Sequence, residues 1–442
     1  MPRSYQKSKL TALAAAAALT LLAGCGSGDD TAGGKVTLDY LSLAWQKESI
    51  EANKKLVAQF NKTHKDVQVK YVQGAWDSIH DQLLTSFEGG EAPDIIHDEA
   101  ADLTDFAYGG YLADITKLLP ADLKQDIPKS SWDMVSMNGG IYGVPFLQEP
   151  RMIIANKKLL KAERVRTPTP DRPWTWDEFE HISKKLTKDK NGDGRTDQYG
   201  VAWGMNEPVN QSVNLSLSTG GEIFTKDTTD DGTKNKVRYG PDESAVAQLI
   251  NRQVNKDHTS PKSSLSMKSS DTLPGFFAGR YAMVPLNFSF RQQVSQQAPD
   301  DFDWEVLPMP AGKAGIAQGV SPQTLSISKD SKHKKAAMEF IAYMSQPGHM
   351  AELAKGDWML PTSKEAMKDP AINRKKYGWS AGAAVANSLK PSPMLDVRGY
   401  TEWSDKLATP AYQRFYNGDT DLEGLRKSLV EDGQRVLNRY QR

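Results

Sequence analysis

An α/β fold in two lobes is what the sequence predicts, and two observations carry that expectation. The first is an alternation of strand and helix periodicities after residue 35. Val36, Leu38 and Tyr40 alternate with Thr37 and Asp39, the period-two signature of a strand. Ile50, Leu56, Val57 and Phe60 then share one helical face, and Val67, Val69 and Tyr71 alternate again. Ile79, Leu83, Leu84 and Phe87 mark a second helix closed by Gly89 and Gly90, and residues 93–96 begin a third strand. Strand, helix, strand, helix, strand in so short a stretch argues for parallel pairing through right-handed crossovers. The second observation is size: 442 residues, 38% hydrophobic and 25% charged, exceed what one compact core spans.

In sheets of this kind ligands bind beyond the carboxyl ends of the strands. That points to the loops 44–48, 73–77 and 97–100. Further on, Thr175 and Glu178 form a capping box before a helix with Phe179, Ile182 and Leu186 on one face. Ala336, Ala337, Phe340, Ile341 and Met344 make another apolar face, and Thr420 with Glu423 is expected to cap a last helix. Proline-rich stretches interrupt at 167–173, 308–310 and 390–393.

The first 24 residues read as a targeting segment. Arg3, Lys7 and Lys9 precede a 13-residue apolar run over residues 10–22. A spanning helix needs roughly 20 apolar residues, so this run is too short for one. It ends in Leu22-Ala23-Gly24-Cys25, which resembles the lipobox of bacterial lipoproteins. Cys25 is the single cysteine of the chain, so it is expected to carry the lipid, and no internal disulfide can form. Residues 25–34 are lipidated cysteine plus a Gly-, Ser- and Asp-rich tether. Formal charge is 0 for the whole chain and −3 without the leader. That balance offers nothing to nucleic acid.

Seven further segments, in order, resemble the family 1 extracellular solute-binding proteins, the group that includes maltose-binding protein. They are EGGEAPDII from Glu88, GGYLADIT from Gly109, IYGVPF from Ile141, Asn156-Lys157, TWDEF from Thr175, ISKDSKHKKAAMEFI from Ile327 and LPTS from Leu360. The family's usual tyrosine before Asn156 is Ile154 here. This resemblance implies a periplasmic-binding-protein-like fold: two α/β lobes, three hinge crossings and a ligand cleft between the lobes. Lobe 1 is expected over 35–146 and 312–361, lobe 2 over 147–311 and 362–442. It further implies a monomeric lipoprotein on the outer face of the bacterial cytoplasmic membrane. Such a protein passes a sugar to separate permease and ATPase subunits of an ABC importer and requires no cofactor.

A sugar needs aromatic platforms for its C–H faces and paired donors and acceptors for its hydroxyls. The chain has ten tryptophans. Trp45 with Glu48, Trp76, Trp203 with Asn206, and Trp358 fall in the loops where a ligand is expected. So do Asp98, Glu99, Gln148, Glu149, Arg151, Asn287 and Arg291. Arg398, Tyr400 and Trp403 complete the candidate set. Trp132, Trp174, Trp176, Trp304 and Trp379 are assigned to packing.

Asp189, Asn191, Asp193 and Asp197 occupy positions 1, 3, 5 and 9 of a calcium-loop pattern, with Gly194 at position 6. Position 12 is Gly200 rather than a bidentate glutamate, so calcium is expected only as a structural ion. A plain Gly/Asn/Asp turn is the alternative. The seven histidines are scattered singly, with no H-E-x-x-H, and no G-x-S-x-G elbow or phosphate-binding loop occurs. Two other functions stay open at this point. One is the same fold binding a polyamine, peptide or glycerol-phosphate type of solute. The other is a tethered glycoside hydrolase using two opposed carboxylates.

Overall fold

The early alternation becomes one half of a mixed sheet. In the computed structural model, which describes residues 35–229 and 232–441, the body from Val36 onward is one compact unit. Cys25 and the tether lie outside the described residues.

The first elements are β1 (Val36–Ser42), α1 (Lys47–Thr63), β2 (Val67–Gln73), α2 (Ile79–Glu88), β3 (Ile95–Glu99) and α3 (Ala100–Tyr108). Next come β4 (Gly143–Gln148), β5 (Arg151–Asn156), α4 (Trp176–Leu186), α5 (Pro208–Ser216) and α6 (Pro241–Asn255). Then follow β6 (Met283–Asn287), α7 (Arg291–Gln297), β7 (Trp304–Pro308), β8 (Gln318–Val320) and β9 (Gln323–Ile327). The last are α8 (Lys334–Met344), α9 (Pro347–Asp357), β10 (Leu360–Pro361), β11 (Leu389–Pro391), α10 (Thr409–Asn417), α11 (Leu422–Lys427) and α12 (Gly433–Tyr440).

β1 pairs in parallel with β2 and β3, as the crossovers require, and the sheet order is β10-β4-β9-β3-β1-β2. Leu38, Tyr40, Phe60, Ile95, Val144, Leu325 and Phe340 are fully buried around it. Each such side chain contributes about 1.5–3 kcal/mol by leaving water. A second sheet, β6-β5-β7, belongs to a second core around Ile153, Trp174, Phe179, Trp203, Leu249, Trp403 and Tyr412.

The chain passes between the two cores three times. Glu149 and Pro150 join β4 to β5, residues 309–322 lead back from β7 to β9, and the third passage ends in β11. β8 and β11 lie side by side in parallel, Gln318 opposite Leu389, so the second and third passages form one ribbon. Ala366 and Ile372 pack in the first core. The third passage is therefore C-terminal to Ile372, later than the 361/362 boundary expected from the sequence.

Two local expectations come out differently at the two ends of the chain. At α4 the capping box forms as read: Thr175 Oγ1 accepts from Glu178 N at 3.1 Å, and Glu178 Oε2 accepts from Thr175 N at 2.9 Å. At α11 the cap is Asp421, whose Oδ1 accepts from Gly424 N at 2.8 Å, not Thr420. A carboxylate acceptor is stronger than a hydroxyl at a helix N-terminus.

Candidate ligand cleft

The first and second passages line a small polar cavity of about 50 Å³. The first passage supplies Glu149 and Arg151, the hinge ribbon Gln318, Gly319 and Ser321, the end of β3 Glu99, and the end of β6 Asn287. Asn210 and Asn214 reach it from α5. Gln318 clamps the first passage: its Oε1 accepts from Arg151 N at 2.7 Å and its Nε2 donates to Arg151 O at 3.2 Å. Glu149 Oε2 accepts from Ser289 N at 2.9 Å, and Arg151 Nη1 donates to the Pro285 carbonyl at 3.2 Å. A Cβ at Gly319 would press on Asn214 Oδ1, the acceptor of Ser392 Oγ, so a side chain there would force Asn214 to shift.

The cavity is electrostatically tense. Burial, then the like charges of Asp102, Glu149 and Glu207, push Glu99 up to about 8. Burial also raises Glu149, against the pull of Ser289, Arg151 and Asn287, and lowers Arg151 to about 10. Behind them burial holds His97 neutral, down at about 4; its Nδ1 accepts from Leu43 N at 3.1 Å.

A model of the bacterial extracellular solute-binding proteins matches residues 45–351, more than half of the chain. The chain belongs to that family. An uncharacterized lipoprotein from the oleD 5′ region of Streptomyces antibioticus is 55% identical over 415 residues, 94% of this chain and 90% of that one. The galactooligosaccharide-binding protein of Bacillus subtilis is 22% identical, with 94% of each chain covered. An ABC substrate-binding protein of Listeria monocytogenes in complex with cycloalternan superposes with a TM-score of 0.75 at 23% identity, covering 92% of this chain and 98% of that one. The last is a likeness of fold.

As a solute-binding protein the molecule needs a cleft that opens, because about 50 Å³ falls short of the ~300 Å³ or more of a ligand pocket. Contacts between the lobes are found on two sides. On one, Glu48 accepts from Gln292 Nε2, and from Gln296 Nε2 at 3.0 Å, while Trp45 lies 6.1 Å from Phe290. On the other, Tyr108 donates to Asp396 at 2.7 Å, Thr401 donates to Asp105 at 2.8 Å, and Arg398 sits 5.0 Å above the Tyr108 ring. Glu48→Ala is expected to remove about 0.5–1 kcal/mol from the closed form, an exposed hydrogen-bonded contact. The ligand-free radius of gyration should then rise in small-angle scattering; an unchanged radius would mean this contact does not hold the lobes.

Of the residues singled out in the sequence, Glu99, Glu149, Arg151 and Asn287 meet in the cavity. Gln148 stands beside them at the end of β4, paired with Leu360. Tyr400, whose hydroxyl donates to Met394 Sδ, feels the charges of Glu99 and Asp102. Trp45 is 42% exposed at the rim, and Trp76 is half-buried with its edge on His97.

Others stand elsewhere, and the reason is packing. Trp203 and Trp403 are fully buried in the second core, their indole N–H groups donating to Gln253 Oε1 at 2.8 Å and Leu429 O at 3.4 Å. Neither can be a sugar platform in this arrangement. Asn206 lines a separate hollow with Lys262 and Asn417. Asp98, 2% exposed, points one Oδ at Glu99 N and is raised well above the carboxylate range by burial. Trp358 packs on Tyr377 and Trp379. Arg291 is fully buried and donates to three carbonyls, those of Phe288, Tyr377 and Trp358, at 2.6, 2.6 and 2.8 Å. It fastens the lobes near the hinge, its guanidinium enclosed between protein carbonyls and the rings of Phe288 and Trp379.

The 189–197 loop is built as a turn. Asp189 accepts from Gly192 N and Gly194 N, Asn191 from Asp193 N, Asp193 from Arg195 N, and Asp197 from Lys190 N. Among the described residues no group of three His, Cys, Asp or Glu side chains is placed to hold a metal.

Asn210, Asn214, Gln318 and Ser321 escaped the sequence reading. Asn210 and Asn214 carried a usable signal, two amides four residues apart on one helical face after the Glu207-Pro208 start. Gln318 and Ser321 carried none, since their place depends on where the ribbon crosses. A larger hollow of about 740 Å³ lined by His64, Leu123, Glu339 and Tyr343 lies on the first lobe. None of its lining residues belongs to a passage between the lobes.

Proposed function

We propose that this protein captures a mono- or oligosaccharide in the cleft and delivers it to the permease of an ABC importer driven by a cytoplasmic ATPase. The observation that carries the reading is the convergence of the first and second passages between the lobes on one polar cavity. Asn210, Asn214 and Asn287 present planar amides there, Glu99 and Glu149 carboxyl groups, and Arg151 a guanidinium. Amides donate and accept at once, as vicinal hydroxyls demand. A galactooligosaccharide-binding relative and a neighbour holding cycloalternan support saccharide as the cargo. Ligand shifts the lobes toward closure only by its differential affinity for that form. Delivery then depends on the permease reading the closed shape.

The protein works as a monomer, without a cofactor, tethered through Cys25 to the outer face of the cytoplasmic membrane. A lipoprotein relative supports the anchor, and no helix among the described residues is long and apolar enough to cross a membrane. Cys25→Ser is expected to move the protein from the membrane fraction to the medium or periplasm with ligand affinity unchanged. Continued membrane retention would refute the anchor.

A thermal-shift screen against mono- and oligosaccharides, peptides, polyamines and glycerol phosphates tests the cargo. A ligand at 100 times its Kd raises stability by about 2.7 kcal/mol, and a saccharide is expected to do so. A shift with another solute class alone would overturn the sugar. Glu99 and Glu149 face one cavity, so the bound sugar is also recovered after incubation; a hydrolysed product would make the protein an enzyme. Calcium alone should give no shift.

A further inference from the structure

The charges around the cleft do not balance. Glu99 and Glu149 line the cavity with Arg151, and Glu207, at the start of α5, is close enough to act on both Glu99 and Arg151. Arg151 answers Glu149 and Glu207, and the buried Arg291 also acts on Glu149, but no cation is among the groups that act on Glu99. Neither guanidinium forms a contact pair with them: among the described residues no Lys, Arg or His nitrogen lies within 4.0 Å of Glu99, Glu149 or Glu207. Some acids elsewhere do have a contact cation. Glu243 is held by Arg238 at 3.2 Å, and Glu180 by Arg252 at 2.9 Å.

An enclosed, unpaired carboxylate is costly, and the cost grows as the lobes shut out water. A neutral sugar can donate hydroxyls to Glu99 but brings no countercharge. An ammonium brings three donors and the missing charge in about the volume of a hydroxyl, and its hydrogen bonds to carboxylate are charge-assisted. The neutral amides around the same cavity remain for the ring hydroxyls.

We propose that the cleft selects saccharides bearing a protonated amino group, with Glu99 receiving the ammonium and Glu149 and Glu207 supplying the surrounding negative field. The inference rests on the saccharide reading above and narrows it. The burial that holds Glu99 up at about 8 agrees with it: the shut cavity tolerates that carboxyl by protonating it, and the ammonium takes the proton's place.

The test is isothermal titration of the purified protein with matched pairs: glucose, maltose, maltotriose, cellobiose and mannobiose, each against its amino-deoxy counterpart. For at least one pair the amino sugar should bind about tenfold tighter or more, the scale of one charge-assisted hydrogen bond. Glu99→Gln should abolish that preference. Should Glu99→Gln fail to fold, Glu207→Gln at its exposed position should reduce it. Equal or weaker binding of every amino sugar overturns the inference and leaves the saccharide reading standing. So does a preference that neither variant changes. Binding by no member of any pair overturns both.

Discussion

Trp203→Ala is expected to destabilise the protein by about 3–5 kcal/mol, the range for emptying a buried tryptophan site. The side chain has no exposed surface and meets Phe179 edge-on at 6.1 Å. Its indole N–H is the donor to Gln253 Oε1, and Gln253 Nε2 in turn donates to Ser183 Oγ at 3.2 Å. Truncation therefore opens a cavity and strands a buried acceptor, and the two costs add. Urea denaturation of the variant measures the loss, and titration of the folded protein should show unchanged ligand affinity. A variant of near-native stability with much weaker binding would return Trp203 to the role of a sugar platform.

A loss of similar size, about 3–5 kcal/mol, is expected for Arg291→Met. Methionine keeps the apolar stem but removes the donor to the Tyr377 and Trp358 carbonyls, each worth about 1–3 kcal/mol when left unpaired and enclosed, while Phe288 O keeps the backbone N–H of residue 291. The guanidinium also lies 3.2 Å above the Phe288 ring and 4.4 Å from that of Trp379. Such contacts add about 2 kcal/mol when desolvated. Arg291→Lys should recover only part, since an ammonium cannot present the planar fork that serves three acceptors. Because Trp358 and Tyr377 belong to segments beyond the second passage, the variant should also weaken ligand binding through the hinge. The melting temperature and the titration are read together. An unchanged melting temperature with lost affinity would mean that Arg291 contacts ligand directly.

These two residues show what the sequence could and could not reveal. The parallel pairing of β1 with β2 was legible because Val36, Leu38 and Tyr40 must all face one core. The Thr175–Glu178 capping box was legible because capping is local. Glu99 and Asn287 were singled out by the rule that ligands sit at strand ends, Glu149 and Arg151 by their place beside the first passage, and all four line one cavity. The rule failed for Trp203, which follows the same kind of strand. There the choice between cleft and core depends on α4 and α6, elements distant in sequence. Arg291 misled for the opposite reason: a charged side chain is rarely buried without an anion, yet here three carbonyls take the anion's place. The aromatic supply that suggested a sugar is mostly spent on packing; amides and carboxylates line the cavity instead.

The most direct test of the account is hydrogen exchange of the protein with and without the saccharide that stabilises it. Protection should appear at the end of β3 near Glu99, at residues 149–151, along the start of α5, and in the ribbon around Gln318. Protection confined to the hollow around His64 and Tyr343, with the passages between the lobes unchanged, would place the ligand outside the cleft and contradict capture by closure.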